Sequence, residues 1–158
     1  MSVWRVRRSD MAQTKAWIMG SVPLALLGIA ALVFALRAGE RDVAFCRRVF
    51  TGLAEGRQSV RYQIRWEHLT AMGKDVGAEY AQLPDERARS GYQQAFVAKF
   101  ADGFRKAGGR VSAFTNWRTE TGQDGRAVVI VEYPEKRSTL LFHLAAGGPR
   151  NVESIQWK

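Results

Sequence analysis

The feature that most constrains this chain is the apolar run between Lys15 and Arg37, which places twenty-one uncharged residues between two bases. At about 1.5 Å per residue, a helix of that length spans about 31 Å, close to the roughly 30 Å thickness of membrane hydrocarbon. A signal peptide has a shorter apolar core of about 7–15 residues that ends at a small-x-small site. The nearest such site, residues 33–35, lies inside the run. We therefore interpret residues 16–37 as a retained membrane helix, with a cleaved signal peptide as the alternative.

The charges on either side of the run bear on orientation. Residues 1–15 hold four bases and one acid, and bases also follow the run, beginning at Arg37. A short basic tail is typical of the cytoplasmic side of a membrane. The predicted protein is therefore single-pass in a bacterial inner membrane, with residues 1–15 cytoplasmic and residues 38–158 periplasmic. The reverse orientation remains open because bases occur on both sides. Three small residues of the run form a surface that would let another membrane subunit approach: Gly20, Ala25 and Gly28.

The composition argues against several classes of function. The net charge of +9 is spread along the chain in single bases and pairs. A nucleic-acid interface needs bases clustered on one face, so nucleic acid is not expected as a partner, whereas anionic lipid headgroups are. The one cysteine, Cys46, excludes an internal disulfide and a zinc site built from cysteines. No set of metal ligands and no glycine-rich phosphate loop is present, so no cofactor is predicted.

Two helices are predicted after the run, separated by a shorter apolar segment over residues 62–72. The first shows apolar residues at helical spacing over residues 43–53 and continues directly from the run. The second begins near Pro84 with acids in its first turn and ends at Gly108 after two bases. Aromatic residues recur along it at intervals of four, which predicts a single buried stripe: Tyr92, Phe96, Phe100 and Phe104.

The C-terminal part shows the alternation of β-strands. Four strands are predicted, at about residues 110–119, 126–133, 138–144 and 151–157, with connections short enough for an antiparallel meander. If residues 134–137 close a hairpin, Val131 pairs with Leu140 and Val129 with Phe142. A similar turn at residues 147–150 places Ile155 beside Phe142 and Trp157 beside Leu140. The predicted fold class is α+β, with one membrane helix followed by helices packed on a four-stranded antiparallel sheet.

The opposite face of this sheet is half apolar. It is predicted to carry Val128, Ile130, Leu141 and His143, together with Trp117. A face this apolar is unusual for a monomer, so we expect a second copy, another subunit or the bilayer to cover part of it. The alternative is that β-branched residues suit strands even where they are exposed.

The order of these elements resembles the cone-shaped nuclear-transport-factor-two-like superfamily. The resemblance covers about residues 40–158 and rests on "FCRRVFTGLAEG", "YQQAFVAKFADGF" and the Trp-ended "NVESIQWK". A cone behind one membrane helix is similar to the inner-membrane assembly subunit of type IV secretion systems and to Mce-associated membrane proteins. The resemblance implies a non-enzymatic accessory subunit that binds integral membrane proteins.

Two alternative functions remain open. The cone interior would hold an apolar small molecule among Trp66, Phe96, Phe100, Phe142 and Trp157. Enzymes of this fold place ionisable groups in such an interior, where burial shifts pKa values toward neutrality. The candidates for that chemistry are His68, His143, Glu132 and Tyr133. The two histidines are more typical of structural or exposed positions, so no enzymatic activity is predicted.

Overall fold

The computed structural model describes the backbone of residues 13–147 and 149–158, and side chains at positions 33, 34, 36–147 and 149–158. The chain divides into two units, Met1–Ala38 and Gly39–Lys158. The helices and strands, in chain order, are α1 (Gln13–Glu55), β1 (Thr70–Ala71), β2 (Lys74–Asp75), α2 (Val76–Ala81), α3 (Glu86–Lys106), β3 (Thr115–Thr121), β4 (Ala127–Tyr133), β5 (Ser138–Leu144) and β6 (Val152–Trp157).

The prediction of a membrane helix over residues 16–37 is wrong. Among the residues that the structure describes, no helix is long and apolar enough to cross a membrane. Where side chains of α1 are described, Val33, Phe34 and Leu36 are followed at once by the charge of Arg37.

The predicted localisation depended on that helix and is also wrong. The finding overturns the prediction of a single-pass protein in a bacterial inner membrane, with a cytoplasmic N-terminus and a periplasmic C-terminal domain. The predicted basic tail, residues 1–15, lies almost wholly outside the described residues, which begin at position 13. The burial and surroundings of Gly20, Ala25 and Gly28 are also outside what the structure describes.

The second half of α1 supplies the main helical wall of the core. Cys46, Val49, Phe50 and Leu53 recur at helical spacing and are fully buried, which confirms the predicted amphipathic segment. Burial, with the nearby charge of Asp42, raises the pKa of the Cys46 thiol far above its ordinary value. Cys46 is therefore a small apolar core residue in its neutral form.

The six strands form one sheet in the order β2-β1-β6-β5-β4-β3. Strands β3 to β6 are an antiparallel meander, and the predicted pairs Val131 with Leu140 and Val129 with Phe142 are confirmed. Phe142 also pairs with Ile155, and Leu140 with Trp157, as predicted. The position of the turn between β4 and β5 specified this register, because both strands carry buried apolar residues on both faces and do not alternate there.

The sheet differs from the predicted four-stranded antiparallel one in number and direction. It is mixed, because β1 runs parallel to β6, with Thr70 opposite Ser154. Strand β2 then pairs antiparallel to β1 and forms one edge of the sheet. Each added strand is only two residues long, too short to show an alternating pattern.

Aromatic side chains fill the space between α1, α3 and the sheet. The ring centroid of Phe50 lies 4.6 Å from that of Phe114, and 6.1 Å from the ring centroids of Trp117 and Phe142. Phe104 meets Phe50 edge-on at 5.6 Å, an arrangement that the charge distribution of aromatic rings favours. The central part of the domain is therefore packed around Phe50.

Helix α3 buries different residues from those that the sequence predicts. Asp85 caps its first turn by accepting a hydrogen bond from the backbone N–H of Ala88 at 2.7 Å. The fully buried positions of the helix are Val97 and Ala101, while the aromatic row from Tyr92 to Phe104 is only partly buried. One side of that row packs on the core, and the other side is left facing a cleft.

Candidate functional site

A cleft of about 370 Å³ lies between α3 and the edge of the domain formed by β1, β2 and α2. We call it the aromatic cleft. Most of its lining is apolar: Ala71, Met72, Val76, Ala95, Phe96 and Phe100. Its polar lining residues are Lys74, Glu79, Tyr92 and Lys99. It therefore combines a hydrophobic floor with a charged rim.

The β1–β2 hairpin places a methionine in a costly backbone conformation beside this cleft. Met72 and Gly73 have φ values of 52° and 78°, both in the left-handed region. Two such residues between paired strands form a type I′ turn, in which Asn-Gly is the favoured sequence. A long apolar side chain at this position is strained, and that of Met72 remains 41% exposed. Nothing in the turn itself requires methionine.

Tyr92 and Glu79 form a polar contact at one side of the cleft. The phenol oxygen of Tyr92 donates a hydrogen bond to Oε2 of Glu79 at 2.6 Å. Burial, and then this hydrogen bond, raise the pKa of Tyr92 to about 12. The bond joins α3 to α2 and fixes both side chains at the rim.

We expect the fold to lose stability at high pH, where Tyr92 ionises and can no longer donate its hydrogen bond to Glu79. The pKa of Tyr92 rises from an ordinary 10.0 to about 12 in the folded chain, so the folded state keeps a proton that the unfolded state has lost. The free energy of unfolding should therefore fall as pH rises between those two values. Tyrosinate absorbance and urea unfolding, compared with Tyr92→Phe, measure this. If the difference spectrum shows Tyr92 ionising at the ordinary pKa, the contact has no such role.

Two lysines give the rim its charge. Lys74 lies on β2 and Lys99 on α3, and both are exposed. Within the part of the chain that the structure describes, neither lysine makes an ion pair. The carboxylate of Glu79 is occupied by Tyr92. The rim therefore offers two ammonium groups outside the described ion pairs, together with the single carboxylate of Glu79.

The structure separates the five residues predicted to line one apolar pocket. Phe96 and Phe100 line the aromatic cleft. Trp66 is buried beside them, with its ring 5.4 Å from that of Phe96. Phe142 is fully buried against Phe50 on the sheet, and Trp157 lies at 42% exposure near Tyr133. The site is therefore a cleft beside α3, and it does not unite the five residues of the predicted pocket.

The predicted partner face also differs from the prediction, both in how far it is buried and in which residues it carries. Val128, Ile130 and Leu141 form one small cluster on the face away from the helices, yet each is at most 9% exposed. His143 lines a depression with them. Trp117 lies on the opposite, core face, where its ring stacks 6.1 Å from Phe142. This face therefore offers a partner little apolar surface.

The four candidate catalytic groups do not form a proton-transfer pair. Glu132 accepts hydrogen bonds from Asn116 and Arg118 at 2.7 Å each, and these bonds hold its pKa below the ordinary value. His143 lies opposite Val128, at the other end of β4 from Glu132. Tyr133 packs in the aromatic core, and His68 is exposed. In the described ranges, no group of three or more acidic, histidine or cysteine side chains converges on a metal-sized site.

Sequence reasoning missed most of the cleft. It named Phe96 and Phe100, but not Met72, Lys74 or Lys99. Met-Gly is not a recognised hairpin signal, and two lysines distant in sequence carry no pattern. Only the hairpin geometry brings these residues together.

A comparison of the chain with protein families, curated proteins and solved structures finds no match.

Proposed function

We propose that residues 39–158 form a non-enzymatic protein-binding domain of an accessory or assembly subunit. Its aromatic cleft docks an apolar segment of a partner protein that carries acidic residues beside its apolar anchors. One observation supports this most strongly. Met72, in a strained turn, has an exposed apolar side chain and lines the same cleft as the half-buried Phe96 and Phe100.

The apolar part of the proposal rests on surface that the fold leaves in contact with water. Burying apolar surface stabilises a complex by about 25 cal/mol per Å² before the costs of association. Aromatic and methionine side chains are well suited to this, because they give large contact areas and adapt to a partner's shape. Phe96, Phe100 and Met72 present such a surface together.

The acidic part rests on the two lysines. Lys74 and Lys99 belong to opposite walls of the cleft, and no described acid pairs with either. A carboxylate beside an apolar anchor would meet these ammonium groups as the anchor enters. Such rim charges mainly select the partner and raise the rate of association.

An apolar small molecule with an acidic group is a second candidate. The cleft volume of about 370 Å³ falls within the range of ligand sites. Against it, exposed residues border the cleft on both walls, including Met72, Lys74, Ala95 and Lys99. A site of that kind suits an extended or helical segment better than a ligand that must be enclosed.

Selection from a random peptide library on the purified full chain tests the proposal. We expect enriched peptides to contain spaced apolar residues with Asp or Glu beside them. A parallel selection uses the Lys74→Glu, Lys99→Glu double variant, and there the flanking charges should change to Lys and Arg. Arg105→Glu, Lys106→Glu is the matched control, because these bases lie on α3 outside the cleft.

Three outcomes would contradict the proposal: no enrichment, the same peptides from the wild type and the cleft variant, or an equal change in the control. Enrichment abolished by a fatty acid that itself binds with higher affinity would favour the second candidate.

A further inference from the structure

A second depression, of about 480 Å³, lies on the face of the sheet away from the helices, beside β6. We call it the arginine groove. The residues that carry the following argument are Arg65, Asp124, Arg126, His143, Glu153 and Ser154. None of them lines the aromatic cleft.

A β-bulge builds the floor of the groove. The pairing of β5 with β6 shifts between His143 and Leu144, so that Glu153 is the extra residue on β6. A bulge lets neighbouring side chains leave a strand on the same side. Glu153 and Ser154 both line the groove, and both residues are largely buried.

The buried carboxylate of Glu153 holds two guanidinium groups at the groove. Its side chain is only 10% exposed, and its oxygens accept hydrogen bonds from Arg65 at 2.8 Å and Arg126 at 2.5 Å. The Arg126 guanidinium also forms an ion pair with Asp124, with Nε 2.9 Å from the carboxylate. Salt bridges on both sides of one buried acid fix the two arginines, which remain about half exposed.

Hydrogen-bond donors exceed available acceptors in the groove. Glu153 already accepts from both arginines, and Asp124 accepts from the backbone N–H of Arg126 and pairs with its guanidinium. Each guanidinium has five N–H donors, of which the described hydrogen bonds use one on Arg65 and one on Arg126. Nε2 of His143 is buried and has no hydrogen-bond partner among the described residues. A ligand rich in acceptors would satisfy this arrangement.

We propose that the arginine groove binds a small polar molecule through an oxyanion, a phosphate or a carboxylate, held between Arg65 and Arg126. The planar guanidinium group matches both oxyanions in a two-point contact. The volume of about 480 Å³ falls within the range of small-molecule sites. This site is independent of the aromatic cleft.

His143 gives this binding a measurable signature. Burial, and then the charges of Lys158 and Arg126, lower its pKa, while Asp124 acts in the opposite direction. A bound oxyanion adds a negative charge near the imidazole and would raise that pKa. By linkage, the affinity for the oxyanion should increase as His143 becomes protonated.

The experiment titrates the isotope-labelled full chain with inorganic phosphate at constant ionic strength, set with chloride, while nuclear magnetic resonance follows the His143 ring. We expect a saturable shift, and a pKa of His143 that rises by about half a unit or more at saturation. A second titration with acetate distinguishes the two oxyanions, because the more tightly bound probe identifies the class.

The test variant is Arg126→Lys, which keeps the positive charge but removes the planar group that makes the two-point contact. The matched control is Arg105→Lys on α3. Affinity should fall at least about tenfold in Arg126→Lys and stay unchanged in Arg105→Lys. A circular dichroism spectrum checks that both variants are folded. A non-saturable shift, an unchanged His143 pKa or an equal loss in both variants would indicate an adventitious ion only and overturn the proposal.

Discussion

Gly77→Ala is expected to lower the free energy of unfolding by about 2–3 kcal/mol, the cost of overpacking a tight site. A Cβ atom at Gly77 would lie 2.6 Å from the carbonyl oxygen of Glu67 and 2.9 Å from its carbonyl carbon. Both contacts are with backbone, so a side-chain rotation cannot relieve them. The N–H of Gly77 also donates to the carbonyl of Leu69 at 3.0 Å, which ties α2 to the residue just before β1.

Urea unfolding of Gly77→Ala beside Gly91→Ala measures this effect. Gly91 lies within α3, and a Cβ there meets no atom within 4 Å. Because alanine favours a helix over glycine by about 1 kcal/mol, Gly91→Ala should be more stable than the wild type. Equal stabilities for the two variants would show that α2 does not pack on residues 67–69 as described.

Met72→Asn is expected to change stability and binding in opposite directions. Asparagine tolerates the left-handed conformation at the first position of a type I′ turn, so the fold should gain about 0.5–1 kcal/mol. The variant also removes the exposed apolar side chain from the aromatic cleft. A peptide selected on the wild type should therefore bind at least about tenfold more weakly.

Arg137→Asn is the matched control for this prediction. Arg137 also has a left-handed φ, 50°, and lies in the β4–β5 turn away from the cleft. It should gain comparable stability and bind the peptide as the wild type does. Thermal unfolding and isothermal titration calorimetry measure the two quantities. If Met72→Asn is more stable and binds with unchanged affinity, the methionine has no role in docking.

The central part of the fold could be predicted from the sequence because its patterns are long. Strands β4 and β5 have seven residues each, and the short turn between them determined their register. Strands β1 and β2 have two residues each and depend on pairing with β6 for their existence. No local pattern can report a contact of that kind.

The position of α3 shows a second limit. The four-residue spacing of Tyr92, Phe96, Phe100 and Phe104 correctly indicated one helix face. It did not indicate how deeply that face is buried, which depends on where neighbouring elements end. Val97 and Ala101 point into the core, so the aromatic row is turned toward the cleft. Local periodicity specifies a stripe, whereas tertiary packing decides what covers it.

The apolar run after Lys15 was read by length and composition, which are the usual signals for a membrane span. The described residues contain no helix with the properties of a span. The proposed function accordingly rests on the Gly39–Lys158 unit and its cleft.

The most direct test of the proposed function uses the methyl group of Met72 as a reporter. The chain is labelled at its methionine methyls and titrated with a peptide selected on the wild type, with Met72→Leu identifying the signal. Docking in the aromatic cleft predicts a saturable shift of the Met72 methyl in the wild type, and its loss in the Lys74→Glu, Lys99→Glu variant. Peptide binding with the Met72 signal unmoved would contradict it.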